Sequence, residues 1–157
     1  MNPTHSLHHP SSNPVSATDS HPPPVVRNFL DTVFNQGDLS QLETFIDPTY
    51  RYSSPTEEII GIDALRGFIS ALRNAFPDMR VNVTDHIGDG PKVCTRVTLT
   101  GTQLGEFEGI PATGRSIKID GVIISELADG RIAREWELLD QYAMLQQLGI
   151  LPEESTA

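Results

Sequence analysis

With 157 residues, the chain is long enough for one domain and too short for two comfortable ones. Its 21 acidic and 11 basic side chains give a net charge of −10, which leaves no electrostatic footprint for nucleic acid or an anionic membrane. The single cysteine, Cys94, excludes an internal disulfide framework and a Cys-rich metal centre.

Residues 1–23 are rich in Pro, Ser and His and almost free of large apolar side chains, so a disordered tail is expected there. Four of the five histidines, His5, His8, His9 and His21, fall in it, at loose spacing and without a recurring carboxylate partner; no metal site is expected. Folding begins near Pro24. Val26, Phe29, Leu30 and Val33 share one helical face, and Gly37 suits the position after the last turn. DLSQLETFID repeats the pattern more briefly, with Asp38 or Ser40 as cap and Pro48 closing it. TYRYSSP reads as a short strand or extended loop. GIDALRGFISALRNAFPD gives the clearest helix, capped by Asp63, striped by Ala64, Leu65, Phe68, Ile69 and Leu72, and stopped by Pro77.

From there the hydrophobic period changes to two. MRVNVTDHI and KVCTRVTLTG alternate about the turn GDGP, RSIKIDGVIISEL forms a longer strand, ADGR turns, and IAREWELL is the last strand. DQYAMLQQLG reads as a short helix closed by Gly149. Helices first and consecutive strands joined by short turns afterwards predict an α+β domain over residues 24–150, with 151–157 as a tail. No stretch approaches the roughly 18 apolar residues of a membrane span, and no apolar core marks a secretory leader. The expectation is a soluble cytoplasmic protein.

Several residues are candidates for chemistry. On the strand 92–100, Cys94, Arg96, Thr98 and Thr100 share one face and Val93, Val97 and Leu99 the other; alternation does not say which is covered. On a covered face Arg96 would need an anionic partner or a polar ligand. On a wet face it is an ordinary surface residue. Cys94 reads as a small buried residue, because KVCTRV supplies no histidine to activate a thiolate. In GRIAREWELLD, Asp140 is placed to cap the helix that follows. Glu137, beside Trp136, either faces solvent or lodges against aromatic surface, where a raised pKa would suit it to acid/base work. Tyr50 and Tyr52 either offer phenol hydrogen bonds to a pocket or plug the core, and His86, in DHIGDG, is expected to be exposed.

GEFEGIPATGRSI (105–117) and DGRIAREWELLDQYAMLQQLG (129–149) resemble segments of the SnoaL-like polyketide cyclase family. The resemblance lies in GIPATGR between two strands, and in Trp-x-x-x-Asp followed by Leu-x-Gln-Leu-Gly; GIDALRGFISALRNAFPD is similar to the family's third helix. It covers roughly residues 24–150. It implies a nuclear transport factor two-like cone: an α+β barrel of three N-terminal helices on a strongly curved antiparallel sheet, with a short C-terminal helix and an enclosed apolar pocket. It also implies a dimer or higher homo-oligomer joined through the outer sheet face, a role that would fall to Val93, Val97 and Leu99.

Family members of this kind close polyketide rings by intramolecular aldol condensation without cofactor or metal, using a last-strand aspartate as acid and base. Counted from DGR, that position is Glu137; Asp140 matches the family's other recurrent acid and fits the cap. A pocket histidine of the penultimate strand corresponds to Ile123, and an asparagine beside the pocket tyrosine to Tyr52. The chain is also similar to limonene-epoxide-hydrolase-like enzymes, whose arginine matches Arg96 and whose last-strand acid matches Glu137, while Thr98 stands where their middle aspartate would be. The resemblance therefore implies Glu137 and Arg96 as catalytic residues, with Tyr50, Tyr52, Thr98, Ile123 and Trp136 around a small hydrophobic substrate. Three readings follow: a cofactor-independent cyclase or isomerase, an epoxide hydrolase or epoxide-opening cyclase using the same acid and Arg96, and a non-catalytic ligand-binding protein.

Overall fold

The computed structural model describes residues 22–152. The tails expected at 1–23 and 151–157 lie outside these residues except for 22, 23, 151 and 152. The first predicted helix is split: α1 (Val25–Phe29) passes without a break into a π-helical segment, Leu30–Asn35. Its predicted apolar face, Val26, Phe29, Leu30 and Val33, is buried throughout. A 3₁₀ turn (Leu39–Gln41) and α2 (Leu42–Phe45) follow. Of the two candidate caps Asp38 takes the role, accepting the Ser40 N–H at 3.2 Å.

Next come β1 (Ile46–Ser53), β2 (Glu58–Ile60), α3 (Ile62–Ala75), β3 (Arg80–Asp89), β4 (Lys92–Thr102), β5 (Ser116–Ala128), β6 (Arg131–Leu139) and α4 (Gln141–Gln147). β1 starts before Pro48 rather than after it. Its pairing with β6 shifts register between Ile46 and Arg51, so the proline sits in an irregular stretch where a missing N–H is tolerated. At the start of α3 the N-cap is Gly61, with φ 89°, and not Asp63; Asp63 lies in the first turn, where its charge suits the positive end of the helix. Leu65 and Ile69 are buried, each stabilising the domain by about 2 kcal/mol through apolar burial, whereas Ala64 is exposed.

The six strands form one curved open sheet in the order β2-β1-β6-β5-β4-β3. The four consecutive strands expected from the sequence, β3 to β6, pair antiparallel in chain order. β2, which the sequence pattern does not predict, pairs antiparallel with β1, but β1 and β6 run parallel. They are separated in the chain by α3 and four strands, which is ample length to return in the same direction. The β5–β6 hairpin closes on Asp129 (φ 50°) and Gly130 (φ 79°), both in the left-handed region that a two-residue hairpin turn requires. On the edge strand β3, the Asn35 amide clasps Val81, donating to its carbonyl at 3.0 Å and accepting its N–H at 2.7 Å. The edge is thereby partly covered by the π-helical segment.

β4 answers the question its alternation left open. Val93, Thr95, Val97 and Leu99 are buried on the face that the helices cover, and Arg96 is exposed on the other. Val93, Val97 and Leu99 are therefore core residues, not an outer surface for another copy. The outer face instead exposes Ile124 (39%), Trp136 (42%) and Leu138 (49%). His86, expected in an exposed turn, lies within β3 opposite Thr95; it is half-buried, and its Nε2 has no hydrogen-bond partner among the described residues. Burial, followed by the charge of Arg27, lowers its pKa. No helix among the described residues is long and apolar enough to cross a membrane.

Candidate active site

Strands present every second side chain to one face. On β1 the covered face carries Tyr50 and Tyr52, and on its parallel neighbour β6 it carries Glu135, Glu137 and Leu139. The result is two dyads built the same way. The Tyr50 phenol donates to Glu135 Oε1 at 2.8 Å, and the Tyr52 phenol donates to Glu137 Oε1 at 2.9 Å. Ser125 on β5, opposite Glu135, donates to its other oxygen at 3.0 Å.

These polar groups sit in an otherwise apolar pocket. Its walls come from the N-terminal helices (Phe29, Phe34), α3 (Leu65, Phe68, Leu72), the sheet (Val97, Leu99, Ile117, Ile123) and α4 (Met144). A cavity of about 100 Å³ remains among them. The exposed or half-exposed Thr56, Glu57, Glu108 and Gln141 mark where the pocket meets solvent, with Gln141 donating to Thr56 at 3.2 Å. No Lys, Arg or His lines the pocket among the described residues.

That environment sets the protonation of the acids. Burial pushes the Glu137 carboxyl up to about 7, opposed by the Tyr52 hydrogen bond and reinforced by the charges of Glu135 and Glu57. Burial likewise raises Glu135 to about 6, against the hydrogen bonds from Tyr50 and Ser125. Both tyrosine phenols are pushed well above their ordinary range, first by burial and then by their glutamate partners. At the mouth Glu57 is raised by partial burial and by Glu108.

The loop between β4 and β5 closes one side of the pocket with Phe107, whose ring meets Phe76 edge-on at 5.5 Å, and with Glu108. Gln103, fully buried, holds this loop from within. Its amide N–H groups donate to the carbonyls of Ile110 (3.1 Å) and Pro111 (3.3 Å), and its Oε1 accepts from the Thr113 backbone N–H (3.3 Å) and hydroxyl (2.7 Å). Gly105 allows the loop to lie against the end of α3, for a Cβ there would stand 2.7 Å from the Asn74 carbonyl oxygen. The GIPATGR segment (109–115) is thus clamped from within by Gln103, directly after the pocket residues Phe107 and Glu108.

The sequence candidates separate accordingly. Glu137, Tyr50, Tyr52 and Ile123 line the pocket. Arg96, Thr98 and Trp136 do not. Arg96 is exposed on the opposite face of the sheet, Thr98 donates its hydroxyl to Asp120 there at 2.8 Å, and Trp136 points outward between its inward neighbours Glu135 and Glu137. Strand alternation puts the Arg96 and Glu137 side chains on opposite faces of the sheet, so the apolar pocket holds Glu137 without Arg96. Asp140 is the N-cap of α4, its Oδ1 accepting the Ala143 N–H at 3.0 Å. The residue that sequence reasoning missed is Glu135. The signal that could have found it is the period of two along β6, which pairs Glu137 with Glu135 on one face. No group of three or more His, Cys, Asp or Glu side chains among the described residues is arranged to hold a metal ion.

The whole domain has known counterparts. A family model for SnoaL-like polyketide cyclases matches residues 24–148. The aklanonic acid methyl ester cyclase DnrD of Streptomyces peucetius is 26% identical over 129 residues, covering 80% of this chain and 88% of the relative. Among solved structures, TsrD from Streptomyces laurentii is 31% identical with a TM-score of 0.74, covering 81% of this chain and 93% of its own. IdmH from Streptomyces antibioticus is 32% identical with a TM-score of 0.70, covering 82% and 99%.

Proposed function

This chain belongs to the SnoaL-like polyketide cyclase family, and from that premise we propose that it closes a ring in a hydrophobic, polyketide-like substrate by an intramolecular aldol-type step, with Glu137 moving the proton. The Glu137 carboxylate takes a proton from a carbon next to a carbonyl. The enolate carbon then attacks a second carbonyl of the same molecule, forming the C–C bond, and the resulting alkoxide takes the proton back from Glu137. Atoms and electrons balance within substrate and side chain, and no redox partner enters. A carboxyl titrating at about 7 serves such a cycle well, since both forms are populated near neutrality.

The observation that carries this reading is the placement of the Glu137 carboxyl in an apolar pocket, oriented by Tyr52. Proton transfer of this kind contributes a factor of about 10² to 10⁴, and the pocket walls add orientation by holding the chain folded on itself. Tyr50, Tyr52 and Ile123 would touch the substrate. The outer face supports a second part of the proposal: two copies pair through Ile124, Trp136 and Leu138, which leave water on association.

Aklanonic acid methyl ester, the substrate named for DnrD, offers a direct test. Incubated with the purified chain in D₂O, it should exchange its activated C–H for deuterium and cyclise, and Glu137→Gln should lose both by about 10² or more. A wild-type chain that binds the ester yet neither exchanges nor cyclises it would sink the catalytic reading and leave a ligand-binding module.

A further inference from the structure

Glu135 takes no part in the ring closure described above, yet it is the more deeply buried of the two pocket carboxyls. An acid so placed is costly unless its charge is satisfied. Here each oxygen has its own donor, Tyr50 on Oε1 and Ser125 on Oε2. Two hydroxyls donating to two oxygens favour the anion, because a protonated carboxyl would have to give one of those positions to its own hydrogen. Glu137 has a single donor, Tyr52, and the open cavity in front of it. The two carboxyls occupy successive inward positions of β6, in a pocket with no lining cation among the described residues. Both cannot be charged there cheaply, and the proton stays with the one less stabilised as an anion.

We propose that Glu135 is a positioning residue for the reaction: held as the anion by Tyr50 and Ser125, its fixed charge keeps the exchangeable proton on Glu137, so that Glu137 works at the boundary between acid and base. The proposal rests on the reading in which Glu137 moves the proton. The groups that bear on Glu137 are Tyr50 and Tyr52 from β1, Glu57 beyond the end of β1, and Glu135 on β6, while Glu108 of the β4–β5 loop acts on Glu57. Ile123 of β5 and Phe68 of α3 line the same pocket and bring no charge. Of the charged groups, Glu135 is the one fixed by two hydrogen bonds from inside the core. The order of affinities agrees, Glu135 at about 6 and Glu137 at about 7.

The test is a pH titration of the full-length protein carrying ¹³C-labelled glutamate carboxyls, with the Glu137 signal assigned by its loss in Glu137→Gln. In the wild type its midpoint is expected near 7. In Glu135→Gln the midpoint should fall by about one pH unit, the effect of removing one charge at short range in a partly screened interior. Tyr50→Phe should move it the same way, because a Glu135 deprived of a donor competes for the proton; this variant carries the test if Glu135→Gln does not fold. A Glu137 midpoint near 7 that stays put in the folded variant overturns the role of Glu135 and leaves the ring-closing reading intact. A wild-type midpoint near the ordinary carboxylate value overturns the ring-closing reading itself, and the proposal for Glu135 with it.

Discussion

Tyr52 donates its phenol hydrogen to Glu137 Oε1 at 2.9 Å across 85 residues of chain, joining β1 to the last strand of the sheet. The bond stabilises the carboxylate and lowers its proton affinity. In Tyr52→Phe the Glu137 carboxyl therefore becomes harder to ionise, and the acid limb of the rate profile moves to higher pH. Activity at pH 7 should drop severalfold and recover toward pH 8.5. The direction is opposite to that expected for Glu135→Gln, so steady-state rates across pH 5.5–9 distinguish a donor that favours the anion from a charge that opposes it.

The raised carboxyls also tie stability to pH. A carboxyl whose pKa is about 7 folded and about 4.5 unfolded binds more protons in the native state between those values. Native stability contributed by Glu137 is thus full at low pH and falls as pH rises from about 4.5 to 7. Glu137→Gln removes this dependence. Relative to the variant, the wild type should lose on the order of 2–3 kcal/mol between pH 5 and 8, measurable by urea unfolding at each pH. Equal slopes for the two proteins would place Glu137 in solvent.

Gln103 holds the β4–β5 loop through four hydrogen bonds made by one side chain. Gln103→Leu keeps the volume and leaves the Ile110 and Pro111 carbonyls and the Thr113 N–H without their partner. A loss of roughly 2–4 kcal/mol is expected, together with faster hydrogen exchange across residues 104–115. β4 and β5 themselves stay paired through their own ladder, which reaches Thr102 and Ser116. A circular dichroism spectrum like that of the wild type separates this loop effect from global unfolding.

The charge of the pocket selects among ligands. Glu57 and Glu108 at the mouth and Glu135 and Glu137 within it face any entering molecule, with no basic residue to offset them among the described residues. A free carboxylate on the ligand should therefore weaken binding by about 10- to 100-fold relative to its methyl ester at pH 8. Calorimetric titration of the acid and ester of one ring system reads this directly. The gap should narrow at pH 5.5, where Glu137 carries its proton.

Association through the outer face is tested at Trp136, 42% exposed beside Ile124 and Leu138. Trp136→Lys puts a charge in the middle of that patch. Light scattering should then report a monomer at micromolar concentration where the wild type is a dimer, with secondary structure unchanged. A wild type that is monomeric, or a variant that still pairs, removes this face from consideration.

The sequence by itself determined the helices and the order of strands β3 to β6, but not β2 or the extent of β1. Periods of 3.6 and 2 are local, and so are the Asp129-Gly130 turn, the Asp38 and Asp140 caps and the apolar face of α1. Family resemblance added the pocket and pointed to Glu137. Tertiary structure decided which face of each strand is covered, because alternation is symmetric between two faces until helices bury one of them. That single choice moved Arg96, Thr98 and Trp136 out of the site and Val93, Val97 and Leu99 into the core. It also brought in Glu135, a charged residue in a charged stretch that becomes an acid of the pocket only when Tyr50, 85 residues earlier, arrives on the neighbouring strand. The parallel pairing of β1 with β6 is a contact between chain segments far apart in sequence. Desolvation, which sets both carboxyls above their ordinary range, exists only once that contact has formed and excluded water.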